Sequence, residues 1–186
     1  MKKVLIPAIV CTMLFACNSG DKTETKDEKM ASSSDSTGKK TTPQSEFADQ
    51  KYVDWGKKQL ADFESGNIDA WLASYADNAK YFWSGGDSLV GKQAISDYWK
   101  NRRSNVIKSI KFSNDIWLPL KVNTPQRGPD APGIWVMSWY QVNVTYSNGK
   151  SLQFWVHNDQ HLDNNEKVDV AVQYIDMAPI NKALGK

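Results

Sequence analysis

Four polar side chains in the C-terminal half of the sequence could do acid–base work: Ser138, Tyr140, His157 and Asp159. A carboxylate beside an imidazole holds a general base in one orientation, and a neighbouring phenol can donate to a developing oxyanion. The set supports proton transfer more than covalent catalysis, because no Ser or Cys nucleophile sits at a strained turn beside it. The same residues have a plain structural reading. His157 with Tyr140 is then a hydrogen-bonded cross-strand pair, and Asp159 near His161 is a solvated rim. No metal site is expected: His157 and His161 share one face of a strand but stand about 13 Å apart, too far to hold one ion.

The aromatic load is the second chemical feature. Eight Trp, seven Tyr and six Phe must line a core, a cavity or an exposed face. Trp83, Trp99, Trp155 and Tyr174 are expected to join Tyr140 and His157 as the walls of a ligand pocket, although Trp83, Trp99 and Trp155 are of a kind more often found as core than as a ligand platform.

Which of these residues meet depends on strand register. Residues 134–146 and 151–162 alternate in polarity and are joined by Ser147-Asn148-Gly149-Lys150. Asn-Gly is the preferred pair for a two-residue type I′ hairpin turn. With Asn148 and Gly149 as the turn, Tyr140 opposes His157, Ser138 opposes Asp159, Val142 opposes Trp155 and Val136 opposes His161. That register predicts one face with Ser138, Tyr140, Trp155, His157, Asp159 and His161, and the other with Trp135, Met137, Trp139, Phe154, Val156 and Leu162.

Upstream, the pattern changes to helical spacing. Tyr52, Trp55, Gln59 and Phe63 predict a first helix that stops at Ser65-Gly66. Asn67 caps a second, which carries Ile68, Trp71, Leu72 and Tyr75. A third runs over 92–103 with Ala94, Ile95, Tyr98 and Trp99 on its apolar face, and a short strand over 79–83 precedes it. Val106, Ile110, Phe112, Ile116, Leu118, Leu120 and Val122 share one parity and predict a long strand, broken at Pro119. Residues 123–133 read as a loop, and a last strand covers 168–175. The fold class is α+β, with three N-terminal helices on one side of a mainly antiparallel sheet.

The N-terminal segment has a different character. Lys2 and Lys3 precede a short apolar run over 4–16, below the roughly 20 residues that span a bilayer, so the run reads as a secretory signal. Leu14-Phe15-Ala16-Cys17 resembles the lipobox of bacterial lipoproteins, which implies cleavage after Ala16 and a diacylglycerol on Cys17. Cys11 would leave with the signal, so the mature chain could form no disulfide. Asn18, rather than Asp, implies sorting to the outer membrane under the enteric rule. Residues 17–44 hold few apolar side chains and are expected to form a disordered tether. The expected division is therefore a signal peptide over 1–16, an acylated Cys and tether over 17–44, and one domain over 45–180. The formal net charge of +2 gives no field that would favour nucleic acid.

Three runs carry a resemblance to a known superfamily. Residues 65–79 (SGNIDAWLASYADNA), 90–99 (VGKQAISDYW) and 166–176 (EKVDVAVQYID) resemble successive signatures of nuclear transport factor 2-like proteins, with Glu166 where that pattern has Gly. The resemblance covers about residues 46–178. It implies a cone-shaped fold, in which a strongly curved sheet wraps the helices around a pocket, and it implies a homodimer through the outer sheet face. Relatives include ketosteroid isomerases, polyketide cyclases, dehydratases and epoxide hydrolases, beside many binding modules, so the fold implies a pocket without fixing a chemistry. Isomerase-like members place a carboxylate base where this chain has Trp83, and a Tyr donor where it has Gln59. Neither residue can fill the role.

The favoured expectation is an envelope lipoprotein whose pocket binds an apolar or aromatic small molecule without catalysis. The alternatives are a cyclase- or dehydratase-like enzyme using His157 with Asp159 or Tyr140, and an interaction module that docks through its sheet. No cofactor is expected, since nicotinamide, ATP and coenzyme A are not at hand outside the cytoplasm.

Overall fold

The computed structural model describes residues 42–126 and 131–186. The expected signal peptide, the lipobox with Cys17 and nearly all of the expected tether lie outside the described residues. Helix α1 (Lys51–Ser65) follows a short strand β1 (Ser45–Phe47), and α2 (Ile68–Leu72) leads into β2 (Tyr75–Trp83). Strand β3 (Ser88–Val90) precedes α3 (Lys92–Asn101), which runs on into a π-helical turn (Arg102–Val106). Strands β4 (Ile107–Val122), β5 (Gly133–Tyr146), β6 (Ser151–Leu162) and β7 (Val168–Tyr174) come next, and α4 (Met177–Leu184) closes the order.

Local chemistry accounts for the helix ends. The side chain of Asn67 accepts from the Ala70 N–H at 3.2 Å, satisfying a donor that the first turn of α2 leaves over. Gly66 adopts φ 83° and returns its N–H to the Phe63 carbonyl, the left-handed stop that glycine permits at low cost. Helix α4 was not foreseen in the sequence and carries the fold past residue 180. Asp176 caps it through the Ala178 N–H at 2.9 Å, Pro179 occupies its first turn where no N–H is needed, and Ile180 and Ala183 are buried.

The seven strands form one curved, open sheet in the order β1-β4-β5-β6-β7-β2-β3. Strands β4 to β7 make an antiparallel meander, while β2 runs parallel to β7. The core gathers Phe63, Trp71 and Ile95 from the helices against Val136, Tyr140, Val142, Val156 and Ala171 from the sheet. This is the α+β architecture the sequence implied.

Two registers differ from expectation. The hairpin between β5 and β6 pairs Thr145 with Ser151, Trp139 with His157 and Met137 with Asp159. Its loop has three residues: the Gly149 N–H bonds the Tyr146 carbonyl at 2.9 Å, the Tyr146 N–H bonds Lys150 at 2.8 Å, and Gly149 takes φ 85°. This is a type I turn followed by a left-handed glycine, rather than the two-residue turn that Asn-Gly suggested. The one-residue slip moves every β6 side chain to the opposite face.

Strand β4 also departs from a single parity. A bulge between Ser113 and Ile116, with Asn114 at φ 55°, switches the inward set from Phe112 to Trp117 and leaves Ile116 exposed. The strand does not break at Pro119, whose carbonyl accepts from the Ala48 N–H at 3.0 Å. Since the N and C=O of a strand residue point to the same side, Pro119 lacks a donor only just beyond the end of β1, and its pairing with β5 is untouched.

Candidate functional site

Helices α1 and α3, the inner face of β4 to β7, and Met177 and Ile180 of α4 enclose a cavity of about 110 Å³. Its walls are mainly aromatic. Phe63 stands edge-on to Trp99 at 5.1 Å between ring centres, Tyr98 edge-on to Trp99 at 5.0 Å, and Trp83 tilts over Tyr98 at 5.1 Å. Such edge-to-face packing suits ring quadrupoles. Gly56 lets α1 come close to the sheet, for a Cβ at that position would collide with the Trp117 ring.

A few polar groups interrupt this wall. Gln59 is 5% exposed. Its amide nitrogen donates to Ser74 Oγ at 2.6 Å, whereas its Oε1 has no hydrogen-bond partner among the described residues. Trp83 donates its indole N–H to Gln173 Oε1 at 3.1 Å, and Gln173 also bonds the Tyr140 phenol. Burial pushes Tyr140 up to about 12, with the Gln173 bond opposing, and burial likewise raises Tyr75 and Tyr81. These phenols therefore stay protonated at physiological pH and act as neutral hydrogen-bonding groups. Among the described residues Arg102 is the only charged side chain in the wall, and none of the lining residues is Asp, Glu or His.

Of the site residues expected from sequence, Trp83, Trp99 and Tyr140 line this cavity, and Trp155, His157, Asp159 and Tyr174 do not. The hairpin slip is the reason: Tyr140 points inward, and the odd-numbered β6 residues point to the other side of the sheet. The expected grouping of Tyr140 with His157 and Asp159 is thus corrected. On the outer face His157 lies stacked between Trp139, at 4.3 Å and 17°, and Tyr174, at 5.2 Å and 25°. Its Nδ1 sits 3.0 Å from the Ser138 carbonyl, and its Nε2 3.0 Å from Asp159 Oδ1. Burial pushes the Asp159 carboxyl up, against the attraction of His157. His161 does not share a rim with Asp159. It bonds Asp169 at 2.6 Å and meets the Pro132 carbonyl at 3.0 Å. Among the described residues no three His, Cys, Asp or Glu gather as a metal site.

Gln59 and Trp83, at the positions where isomerase-like proteins would carry donor and base, do both line the cavity. Sequence reasoning overlooked Arg102, Asn158, Gln160 and Gln173 as lining residues. For Asn158 and Gln160 there was a signal on β6, where the even positions Leu152, Phe154, Val156 and Leu162 form the more apolar parity and take these two inward with them.

No family model matches the sequence, and no curated protein matches it. Solved structures do resemble the described fold. A candidate polyketide cyclase from Xanthomonas campestris pv. campestris superposes with a TM-score of 0.57 at 13% identity, over 73% of this chain and 97% of that one. The fold is that of the nuclear transport factor 2-like proteins. A nuclear transport factor 2-like protein of unknown function from Burkholderia pseudomallei gives 0.57 at 13% identity, over 72% and 97% of the two chains. An LEH-like epoxide hydrolase from M. tuberculosis gives 0.51 at 16%, over 71% and 87%. Identities this low speak for the nuclear transport factor 2-like fold alone.

Proposed function

We propose that the cavity binds a small apolar or aromatic molecule without transforming it, and that a lipid on Cys17 holds the domain at the outer membrane of a cell envelope. The observation that carries the first part is the make-up of the wall. Proton transfer needs a group that changes state near working pH. Burial-raised phenols, amides and a guanidinium do not. Against turnover of the cyclase or dehydratase type stands the placing of His157 and Asp159 outside the lining. The cavity is of the order of the roughly 150 Å³ apolar void that takes up benzene in an engineered core, so the fitting body is about one ring.

Calorimetric titration of the intact chain with indole and toluene tests this reading. Both should give a binding isotherm. Val142→Phe, which fills the cavity, should abolish the response, and His157→Ala and Trp155→Phe should preserve it. Loss of the response in His157→Ala would refute the assignment of the site to the inner face.

The sequence motif supports the anchor. Incorporation of a labelled fatty acid in cells should depend on Cys17 and vanish in Cys17→Ala. The outer face leaves Trp155 and Tyr174 about half exposed, which supports pairing with a second copy there. Light scattering should then report a dimer that Trp155→Glu weakens.

A further inference from the structure

We infer that the molecule held in the cavity is an acid, a one-ring apolar carboxylate whose anionic end pairs with Arg102; the inference rests on the cavity being a ligand site. Arg102 and Arg103 are neighbours in the π-helical turn, a feature that recurs at functional positions, and they behave in opposite ways. Arg103 gives its donors to the carbonyls of Phe63 and Glu64 at 3.3 Å each and of Ile107 at 3.4 Å, tying the end of α1 to the start of β4. Arg102 makes none of these ties. Its side chain lines the cavity, its guanidinium carbon lies 5.5 Å from the centre of the Tyr98 ring, and its Nε is buried with no acceptor among the described residues.

None of the ion pairs among the described residues includes Arg102. A guanidinium drawn partly out of water with no counter-charge costs free energy, and a bound anion would restore it. The groups around it are donors as well. Trp99 lines the same cavity, and its indole N–H is buried without an acceptor among the described residues. Burial raises the Tyr98 and Tyr146 phenols, with the Arg102 charge opposing in each case and a hydrogen bond from Arg102 to the Tyr98 oxygen besides, so both phenols keep their proton. Asp87 also acts on Tyr98 but lies outside the lining, so the wall at this end offers a cation and neutral donors and, among the described residues, no carboxylate.

The rest of the wall selects the body of the ligand. A phosphate or sulfate would bring more oxygens than one guanidinium and its neighbours could pair, and nothing to fill the aromatic space. A carboxylate matches the planar guanidinium fork and leaves an apolar remainder for Phe63, Trp83 and Trp99.

Calorimetric titration of the full chain in detergent with benzoate and phenylacetate, against benzamide and phenylacetamide, tests the inference. The acids should bind at least about ten-fold tighter than their amides. Arg102→Met should erase that preference, bringing acid and amide to the same affinity, and Arg102→Lys should keep part of it. Arg102→Gln serves as a second uncharged variant, with melting curves to establish folding. Equal affinity of acids and amides for the unaltered chain would overturn the inference and leave the cavity reading standing. Retention of the acid preference in a folded Arg102→Met or Arg102→Gln would overturn it too. If indole and toluene also failed to bind, the cavity reading would fall and the inference with it.

Discussion

Residues one place apart on β6 sit in opposite chemistries. Inward, Val156, Asn158 and Gln160 face an aromatic cavity with a single cation and no acid. Outward, the His157 ring lies between Trp139 and Tyr174 and its Nε2 stands 3.0 Å from Asp159 Oδ1. The residues that look catalytic by type are on the face without the cavity, and the cavity is lined by groups that do not titrate near neutrality. Residue type suggests chemistry, but strand register decides which side of the sheet receives it.

The largest effect should come from testing that register directly. Val156 is 2% exposed and Trp155 is 50% exposed. Val156→Asp buries a charge with no partner and should cost about 3–5 kcal/mol or prevent folding. Trp155→Asp should stay within about 1 kcal/mol when measured at a protein concentration low enough for the monomer. Urea denaturation of the two variants checks the contrast, and a reversed order would restore the register expected from a two-residue turn.

The helices, the meander and the pocket-forming fold were legible in sequence because each rests on local signals: the Asn67 cap, the Gly66 stop and the alternation of residues 151–162. The faces were not legible, because Asn-Gly fits two turns of different length. Asn148 takes a negative φ and ties its side chain to the Lys150 N–H at 3.0 Å and to the Ala183 carbonyl at 2.8 Å. The second tie comes from α4, an element that short sequence windows did not reveal. Arg102 was missed for a related reason. It follows a helix that the spacing extends to residue 103, and only the π-helical turn places one arginine in the cavity and the next on α1.

A smaller effect is expected where β4 changes face. Asn114 holds φ 55° and donates to Gln141 Oε1 at 2.8 Å. A β-branched residue resists that conformation, so Asn114→Val should cost about 1–2 kcal/mol. Asn114→Gly should cost less, since only the side-chain bond is lost. Thermal melting would show the difference. Equal losses would mean that the backbone conformation of the bulge does not matter and that the bond carries the whole effect.

The smallest expected effect separates two carboxylates that burial pushes in the same direction. Burial alone would raise Glu64, but the Lys111 ammonium at 2.7 Å and the Phe112 N–H at 3.0 Å outweigh it and hold the carboxyl below its usual range. Asp159 has only His157 against its burial and stays raised. A lowered carboxyl adds stability above its unfolded value near 4, and that stability is lost as pH falls through the folded value. A raised one has the opposite sign: its contribution is complete below about 4 and is lost as pH rises through the folded value. Melting temperatures between pH 3 and 7 should therefore diverge in opposite senses. Glu64→Gln should be most damaging at neutral pH and converge on the unaltered chain in acid. Asp159→Asn should gain on the unaltered chain as pH rises, because the unaltered chain must then ionise a group that its outer face shields from water. A gap for Asp159→Asn that stays constant across this range would mean that His157 fully offsets the burial.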